Sequence, residues 1–165
     1  MAETRQAVRD YVLWLSGLGL AGLSRPLAHR PVAEERATAA ARSWLDLLDA
    51  GRFLTSFDET APLVKDALTR EEWDQAIQAV RAPLGRCLSR TLRSRTLVKS
   101  MAQGPEGRFA VIRFETDFAG GPGTVETIVP TLGGDGRWRV AAYFVAPGTR
   151  AGRSMTDGLP ERSRT

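Results

Sequence analysis

Apolar residues follow a helical spacing through the first half of the chain and a strand spacing through the second half. Residues 34–50 place a set of apolar side chains on one face of a helix, namely Ala37, Ala41, Trp44, Leu45 and Leu48. Gly51 follows at the position where a residue in the left-handed conformation commonly closes a helix. A first helix is therefore predicted from Glu34 to Asp49.

Two further helices are predicted before the period changes. The second runs from Ser56, as a capping residue, to Leu68, with Pro62 near the start of a turn. The third opens at Thr69, which has capping-box spacing to Glu72, so that each side chain satisfies a backbone donor of the other residue. Three consecutive helices are expected.

A period of two begins near residue 84 and predicts four strands. Leu84, Leu88 and Leu92 mark the first strand. The second strand has one apolar face, formed by Ala110, Ile112, Phe114, Thr116 and Phe118, against a second face of Val111, Arg113, Glu115 and Asp117. The third and fourth strands span residues 124–132 and 138–145. Short glycine-rich turns join consecutive strands and favour antiparallel neighbours.

The predicted fold class is α+β, with three N-terminal helices packed on a four-stranded antiparallel curved sheet, a meander. Residues 34–146 form this single domain. Residues 25–33 contain two prolines and are interpreted as a linker. Residues 147–165 are rich in Gly, Arg and Ser without an apolar period, which predicts a disordered tail.

The N-terminal segment, residues 1–24, is interpreted as a signal peptide or an anchor. Its residues 11–23 are nearly all apolar, too few for a comfortable membrane span but enough for a signal-peptide core, and Arg5 and Arg9 precede them. This interpretation predicts an exported protein of the periplasm or cell envelope. Membrane contact is expected only through residues 11–23, if they remain uncleaved. The alternative is a cytoplasmic protein in which the segment is an extra helix covering the domain.

Composition excludes several classes of chemistry. The 165 residues carry a formal charge of +4, but the basic residues are spread along the chain, so no nucleic-acid partner is predicted. Cys87 is the only cysteine and His29 the only histidine, which removes zinc sites built on several such ligands. No metal and no cofactor are expected.

Four residues are candidates for a binding site: Arg81, Arg90, Glu126 and Tyr143. Arg90 and Glu126 share the strand parity of apolar neighbours and are predicted to form an inward-facing ion pair, since a buried charge needs a partner. This pair either fixes the strand register or forms the polar floor of a small-ligand pocket. Arg81 either reaches the carbonyl groups at its helix terminus or binds an anion.

The other reactive or aromatic side chains are assigned structural roles. Trp44, Trp73 and Trp138, together with Tyr143, are predicted core residues, because large aromatic rings supply much of the burial in a small domain. Ser56 is a helix cap and Cys87 a core thiol. No catalytic residue is therefore assigned, although Glu126 is the one candidate general base.

The order of these motifs resembles the bacterial family called domain of unknown function 4019. A helix ending in WL-x-L-x-D-x-G is followed by R-x-PLG and by strands with F-x-T-x-F, V-E-T and DG-x-WRV. The matching residues are Trp44, Leu45, Leu47 or Leu48, Asp49, Gly51, Phe53, Ser56, Phe57, Trp73, Arg81, Pro83, Leu84, Gly85, Ser89, Arg90, Phe114, Thr116, Phe118, Val125, Glu126, Thr127, Asp135, Gly136, Trp138, Arg139, Val140 and Tyr143. At Phe53 and Phe57 the family usually has Tyr and Trp.

The resemblance covers roughly residues 34–145 and implies a fold of the cystatin-like or nuclear-transport-factor-2-like type. It also implies an export signal, which many members carry, but no activity. Three functions remain open. The first is a non-catalytic envelope module that binds an unknown small ligand or protein. The second is a pocket enzyme, an isomerase or hydrolase, that uses Glu126. The third is a structural or oligomerising domain with an exposed apolar sheet face.

Overall fold

Four helices precede a four-stranded sheet in the computed structural model, which describes residues 30–100 and 106–148. The helices are α1 (Pro31–Asp49), α2 (Phe53–Asp58), α3 (Pro62–Ala67) and α4 (Arg70–Arg81). The strands are β1 (Cys87–Ser100), β2 (Glu106–Phe118), β3 (Gly121–Leu132) and β4 (Trp138–Pro147). All neighbouring strands are antiparallel, in the order β1-β2-β3-β4, so the α+β class and the meander are confirmed.

The segments predicted at the two ends of the chain lie outside the described residues. These are the N-terminal segment 1–24 with most of the linker 25–33, and all but the first two residues of the tail 147–165. Within the described ranges, no helix is both long enough and apolar enough to cross a membrane.

The helix α1 begins earlier than predicted. Pro31 occupies its first turn, where the missing amide proton is not needed and the fixed φ suits a helix. The last three residues of the predicted linker are therefore helical. The helix ends at Asp49, and Gly51 has the predicted left-handed conformation, with φ of 70°.

The single helix predicted from Ser56 to Leu68 is two helices, α2 and α3. Between them the backbone is extended, because Thr60 forms a bridge with Val140 of β4 and the amide of Ala61 donates to the carbonyl of Val140 at 2.8 Å. Pro62 then starts α3, as its position near a turn predicted. The predicted capping box of Thr69 and Glu72 is present at the start of α4.

The main core lies between the helices and one face of the sheet. It contains all five predicted apolar residues of α1, three residues of the predicted apolar face of β2 (Ala110, Ile112 and Phe114), and Trp73 and Ile77 of α4. A second cluster of buried apolar residues lies among Ala61, Val98, Phe109, Val111, Val129, Ala141 and Ala142. Val111 was predicted on the solvent-facing side of β2 but is only 2% exposed, because it packs in this second cluster.

The first strand departs from the predicted leucine alternation. It begins at Cys87, so Leu84 precedes it, and a register shift against β2 lies between Cys87 and Ser89. Leu88 falls at this irregularity and is 57% exposed, whereas Leu92 packs against the core. The irregularity interrupts the strict alternation on which the sequence prediction relied.

Candidate functional site

Six polar side chains meet between the sheet and the ends of two helices. We call them the charge cluster, and they are Asp49, Arg81, Arg90, Thr116, Glu126 and Tyr143. Asp49 and Arg81 are the last residues of α1 and α4, while each strand contributes one of the other four. Cross-strand pairing brings the strand residues together. Arg90 lies opposite Thr116, and Thr116 lies opposite Thr124, which is two residues before Glu126 on β3.

The carboxylate of Glu126 is the centre of the charge cluster. It is completely buried and accepts four hydrogen bonds. Oε1 accepts from Arg81 Nη1 at 3.0 Å and from the Tyr143 hydroxyl at 2.7 Å. Oε2 accepts from Arg90 Nε at 2.7 Å and from the Thr116 hydroxyl at 2.6 Å. A carboxylate has about four lone-pair positions, so every acceptor position of Glu126 is occupied by the protein.

Asp49 is the second anion of the charge cluster. It accepts from Nη1 of Arg90 at 2.7 Å, from Nη2 of Arg90 at 3.1 Å, and from Nη2 of Arg81. Each arginine therefore bridges both carboxylates, and two positive charges balance two negative charges. Such mutual compensation is what makes ion burial tolerable.

The pKa values of the charge cluster follow from this packing. Burial opposes ionisation of Asp49, but the hydrogen bonds and charges of Arg90 and Arg81 outweigh it and lower the pKa of Asp49 below its usual value. Burial and the charge of Glu126 raise the pKa of Tyr143. Tyr143 is therefore a neutral phenol, which donates to Glu126 and accepts from Arg81 Nη1 at 3.2 Å.

All four residues predicted as a site are brought together. The predicted ion pair of Arg90 and Glu126 is present, at 2.7 Å between Nε and Oε2. The prediction that Arg81 reaches the carbonyl groups at its helix terminus is wrong. Its guanidinium turns into the core, where Asp49 and Glu126 both attract it and where it lies 4.8 Å from the ring centroid of Phe118.

Sequence reasoning missed Asp49 and Thr116 as members of the charge cluster. Thr116 stood among the predicted inward-facing residues of β2, and a hydroxyl on an apolar face was a signal that an inward-facing polar partner existed. Asp49 was noticed only as part of a family motif. Its contacts join residues more than 30 positions apart along the chain, and no local pattern encodes them.

The aromatic core is organised around Ser56, and the prediction that this residue caps a helix is wrong. Ser56 lies inside α2 and is fully buried. Its hydroxyl accepts from the indole of Trp73 at 3.0 Å, while its carbonyl accepts from the indole of Trp44 at 3.0 Å. Both tryptophans are core residues, as predicted. Trp138 is only partly buried and packs at the border of the core.

Cys87 is half-buried at the start of β1 and belongs to neither buried apolar cluster, so the predicted core position is wrong. Burial raises the pKa of its thiol, which therefore stays protonated near neutral pH. Within residues 30–100 and 106–148, no group of three or more His, Cys, Asp or Glu side chains is arranged to hold a metal ion.

A concavity among the described residues lies at the opposite end of the sheet from the charge cluster. We call it the open-end cavity. It has a volume of about 570 Å³ and lies where β1 and β3 end and where α1, β2 and β4 begin. Leu132, on its wall, is six residues beyond Glu126 along β3, which is roughly 20 Å at the usual rise of a strand. Glu126 does not line this cavity.

Asp49 gives the charge cluster a predicted acid sensitivity. Its pKa is lower in the folded chain than in the unfolded chain, so its contribution to stability is complete above the unfolded value, about 3.9. That contribution is lost as the pH falls through the lower, folded value. We therefore expect Asp49→Asn to lower the free energy of unfolding at pH 6 and to flatten its decline below about pH 4.

Urea unfolding of both proteins from pH 2 to pH 6 measures this difference. Asp66→Asn is the matched control, because Asp66 is an exposed carboxylate of α3 without a hydrogen bond among the described residues. The control should retain the full decline. An equally steep decline in Asp49→Asn would show that the aspartate is not held ionised by the two arginines.

Comparison with known families gives one match. Residues 40–143 match the family described as "Protein of unknown function (DUF4019)". The matched range begins within α1 and ends at Tyr143, so it contains every member of the charge cluster. Neither the curated proteins nor the solved structures contain a significant match to the chain.

Proposed function

Because the chain belongs to the DUF4019 family, whose function is unknown, we propose a function from its geometry. The domain is a non-catalytic binding module of the bacterial cell envelope. It takes a small ligand in the open-end cavity, while the charge cluster at the other end holds the helices on the sheet. A fold of the cystatin-like or nuclear-transport-factor-2-like type, which belongs to this proposal, would leave one end of the layer open for a ligand.

The saturation of Glu126 is the observation that carries this proposal. A general base needs a free lone pair within hydrogen-bond reach of a substrate, whereas this carboxylate is fully buried and accepts four hydrogen bonds from the protein. An isomerase or hydrolase that used Glu126 as its base would have to break at least one of these four hydrogen bonds. The open-end cavity, by contrast, is accessible and has the size of ordinary ligand pockets, about 300–1,000 Å³.

The oligomerising alternative has less support. It needs a contiguous exposed apolar patch of several hundred Å². The large apolar side chains that are exposed among the described residues are Val32, Leu54, Val80 and Leu88. They lie on four different elements, α1, α2, α4 and β1, and therefore do not supply one sheet face.

The proposed location in the envelope rests on the sequence of residues 1–24. The apolar run 11–23 after Arg5 and Arg9 has the order of a signal peptide. Alkaline phosphatase fused after residue 165 tests it, because that enzyme needs an oxidising compartment for its disulfides. We expect activity from the fusion in intact bacteria and none after deletion of residues 2–24. Inactivity of the full fusion, at equal expression, would place the chain in the cytoplasm.

The binding function is tested with an uncharged apolar probe, N-phenyl-1-naphthylamine, titrated into the full chain. We expect saturable fluorescence enhancement that is lost in Leu132→Asp, because a carboxylate in the apolar wall disfavours the naphthalene ring. The matched control is Val80→Asp, which places the same charge in a separate cleft of about 410 Å³ between α4, the start of β3 and the end of β4. Equal losses in both variants, or no saturable signal from the wild type, would contradict the proposal.

A further inference from the structure

We infer that the ligand of the open-end cavity is an amphipathic anion, an apolar body that carries one carboxylate, sulfonate or phosphate group. This inference rests on the proposed function and names the ligand class of the same site. Its basis is the division of the cavity into an apolar wall and a rim with excess positive charge.

The wall offers a continuous apolar contact for the body of such a molecule. Leu97 of β1 is the most buried of the apolar lining residues, at 4% exposure, while Ala33, Leu132 and Trp138 are half-buried. These four residues come from four different elements, α1, β1, β3 and β4. Since burying apolar surface yields roughly 25 cal/mol per Å², the wall supplies affinity but little preference for a head group.

The rim of the cavity supplies the preference for an anionic head group. Three basic residues converge on it from separate parts of the chain: Arg30 immediately before α1, Lys99 near the end of β1 and Arg108 near the start of β2. Glu106 is the one acidic residue among the described lining residues. Three positive charges against one negative charge leave an excess of +2 around the opening.

The three rim cations have no carboxylate partner among the described residues. Within residues 30–100 and 106–148, neither Arg30, Lys99 nor Arg108 forms an ion pair. The arginines elsewhere that do form ion pairs are Arg70, Arg81, Arg90, Arg93, Arg95 and Arg139. Unpaired cations beside a low-dielectric wall attract anions more strongly than isolated surface charges do. The amino-terminal end of α1 contributes a partial positive charge at the same opening.

The experiment compares two probes of nearly equal shape on the full chain. One is 1-anilinonaphthalene-8-sulfonate, an amphipathic anion, and the other is the uncharged N-phenyl-1-naphthylamine. We expect the wild type to bind the sulfonate more tightly. The variant Lys99→Gln/Arg108→Gln should bind the sulfonate about tenfold more weakly, because two attractive charges are removed, and should bind the uncharged probe within about twofold of the wild type.

The matched control is Lys65→Gln/Arg86→Gln, which removes one lysine and one arginine from exposed positions outside the cavity. It lowers the net charge equally and should leave both affinities unchanged. Because all four substituted residues are exposed, each variant should keep the urea midpoint of the wild type, so lost binding is not lost folding.

Competition separates the amphipathic anion from a simple anion. Decanoate should displace the bound sulfonate, whereas inorganic phosphate at the same concentration should not. The inference is overturned if phosphate displaces the probe and decanoate does not, or if Lys99→Gln/Arg108→Gln binds the sulfonate as the wild type does. In the second case the uncharged probe still reports the proposed binding function. If neither probe binds saturably, both the inference and the proposed function fail.

Discussion

Glu126→Gln is expected to lower the free energy of unfolding by about 3–5 kcal/mol, the usual cost of removing one partner of a buried ion pair. The neutral amide keeps the volume of the side chain but leaves Arg81 and Arg90 with Asp49 as their only anion among the residues that the structure describes. Side-chain exposures of 6% and 10% give these arginines little water to compensate. Urea denaturation at pH 7 measures the loss.

A compensating variant separates charge imbalance from general disruption. Adding Arg81→Met to Glu126→Gln restores equal numbers of positive and negative charges, so the double variant should be more stable than the sum of the single losses predicts. The control is Asp58→Asn, which removes an exposed ion pair with Arg70 and should change the free energy of unfolding by about 0.5 kcal/mol or less. A Glu126→Gln protein as stable as this control would refute the structural role of the charge cluster.

Phe114→Ala is expected to lower the free energy of unfolding by a similar amount, about 3–5 kcal/mol. Phe114 is fully buried in the main core, opposite Leu92 and Glu126 on the neighbouring strands. The guanidinium of Arg42 lies 4.9 Å from its ring centroid. Truncation therefore removes a large apolar ring, leaves a cavity beside the charge cluster and deprives Arg42 of its aromatic contact.

Leu88→Ala provides the matched control for this core substitution. Leu88 belongs to the same sheet but is 57% exposed at the irregular start of β1. Its truncation should change the free energy of unfolding by about 0.5 kcal/mol or less, as is usual for surface positions. Comparable losses in the two variants, measured by urea unfolding, would mean that the register of β1 differs from the one described.

Strand parity was sufficient to predict the ion pair of Arg90 and Glu126 in the charge cluster. Arg90 and Glu126 share the alternation of apolar neighbours on strands that are joined by short turns, so both had to face the packed side of the sheet. Burial then required them to find partners of opposite charge. Local strand pattern and the cost of burying a charge are sufficient to predict this contact, and the ion pair of Arg90 and Glu126 is present.

The sequence predictions that were wrong concern features that depend on contacts between distant segments of the chain. The break between α2 and α3 arises because Ala61 pairs with Val140, 79 residues further along the chain. At the end of α4 the side chain of Arg81 could adopt several acceptable rotamers. It points toward the sheet because it pairs there with Glu126. Leu88 is exposed because of an irregularity in strand pairing that its own sequence neighbours do not reveal. Propensity and periodicity carry none of this information.

The two ends of the domain have different proposed roles: the charge cluster stabilises the fold, and the open-end cavity binds the ligand. At one end, Asp49 ties the last turn of α1 to the sheet through Arg90, and Arg81 ties the last turn of α4 to the sheet through Glu126. At the other end, α1 begins beside the cavity, and the ion pair of Glu34 with Arg95 joins this start of the helix to β1. The interface between helices and sheet therefore has its network of ion pairs at one end and a cavity with an apolar wall at the other.

The most direct test of this division is an indole ¹⁵N–¹H spectrum of the full chain during titration with 1-anilinonaphthalene-8-sulfonate. Trp138 lines the open-end cavity, whereas the indole nitrogens of Trp44 and Trp73 donate hydrogen bonds to Ser56 in the core. We predict a saturable shift of the Trp138 resonance, while the resonances of Trp44 and Trp73 stay unchanged. Shifts of Trp44 and Trp73 without a shift of Trp138 would place the ligand at the core beside the charge cluster and would contradict this account.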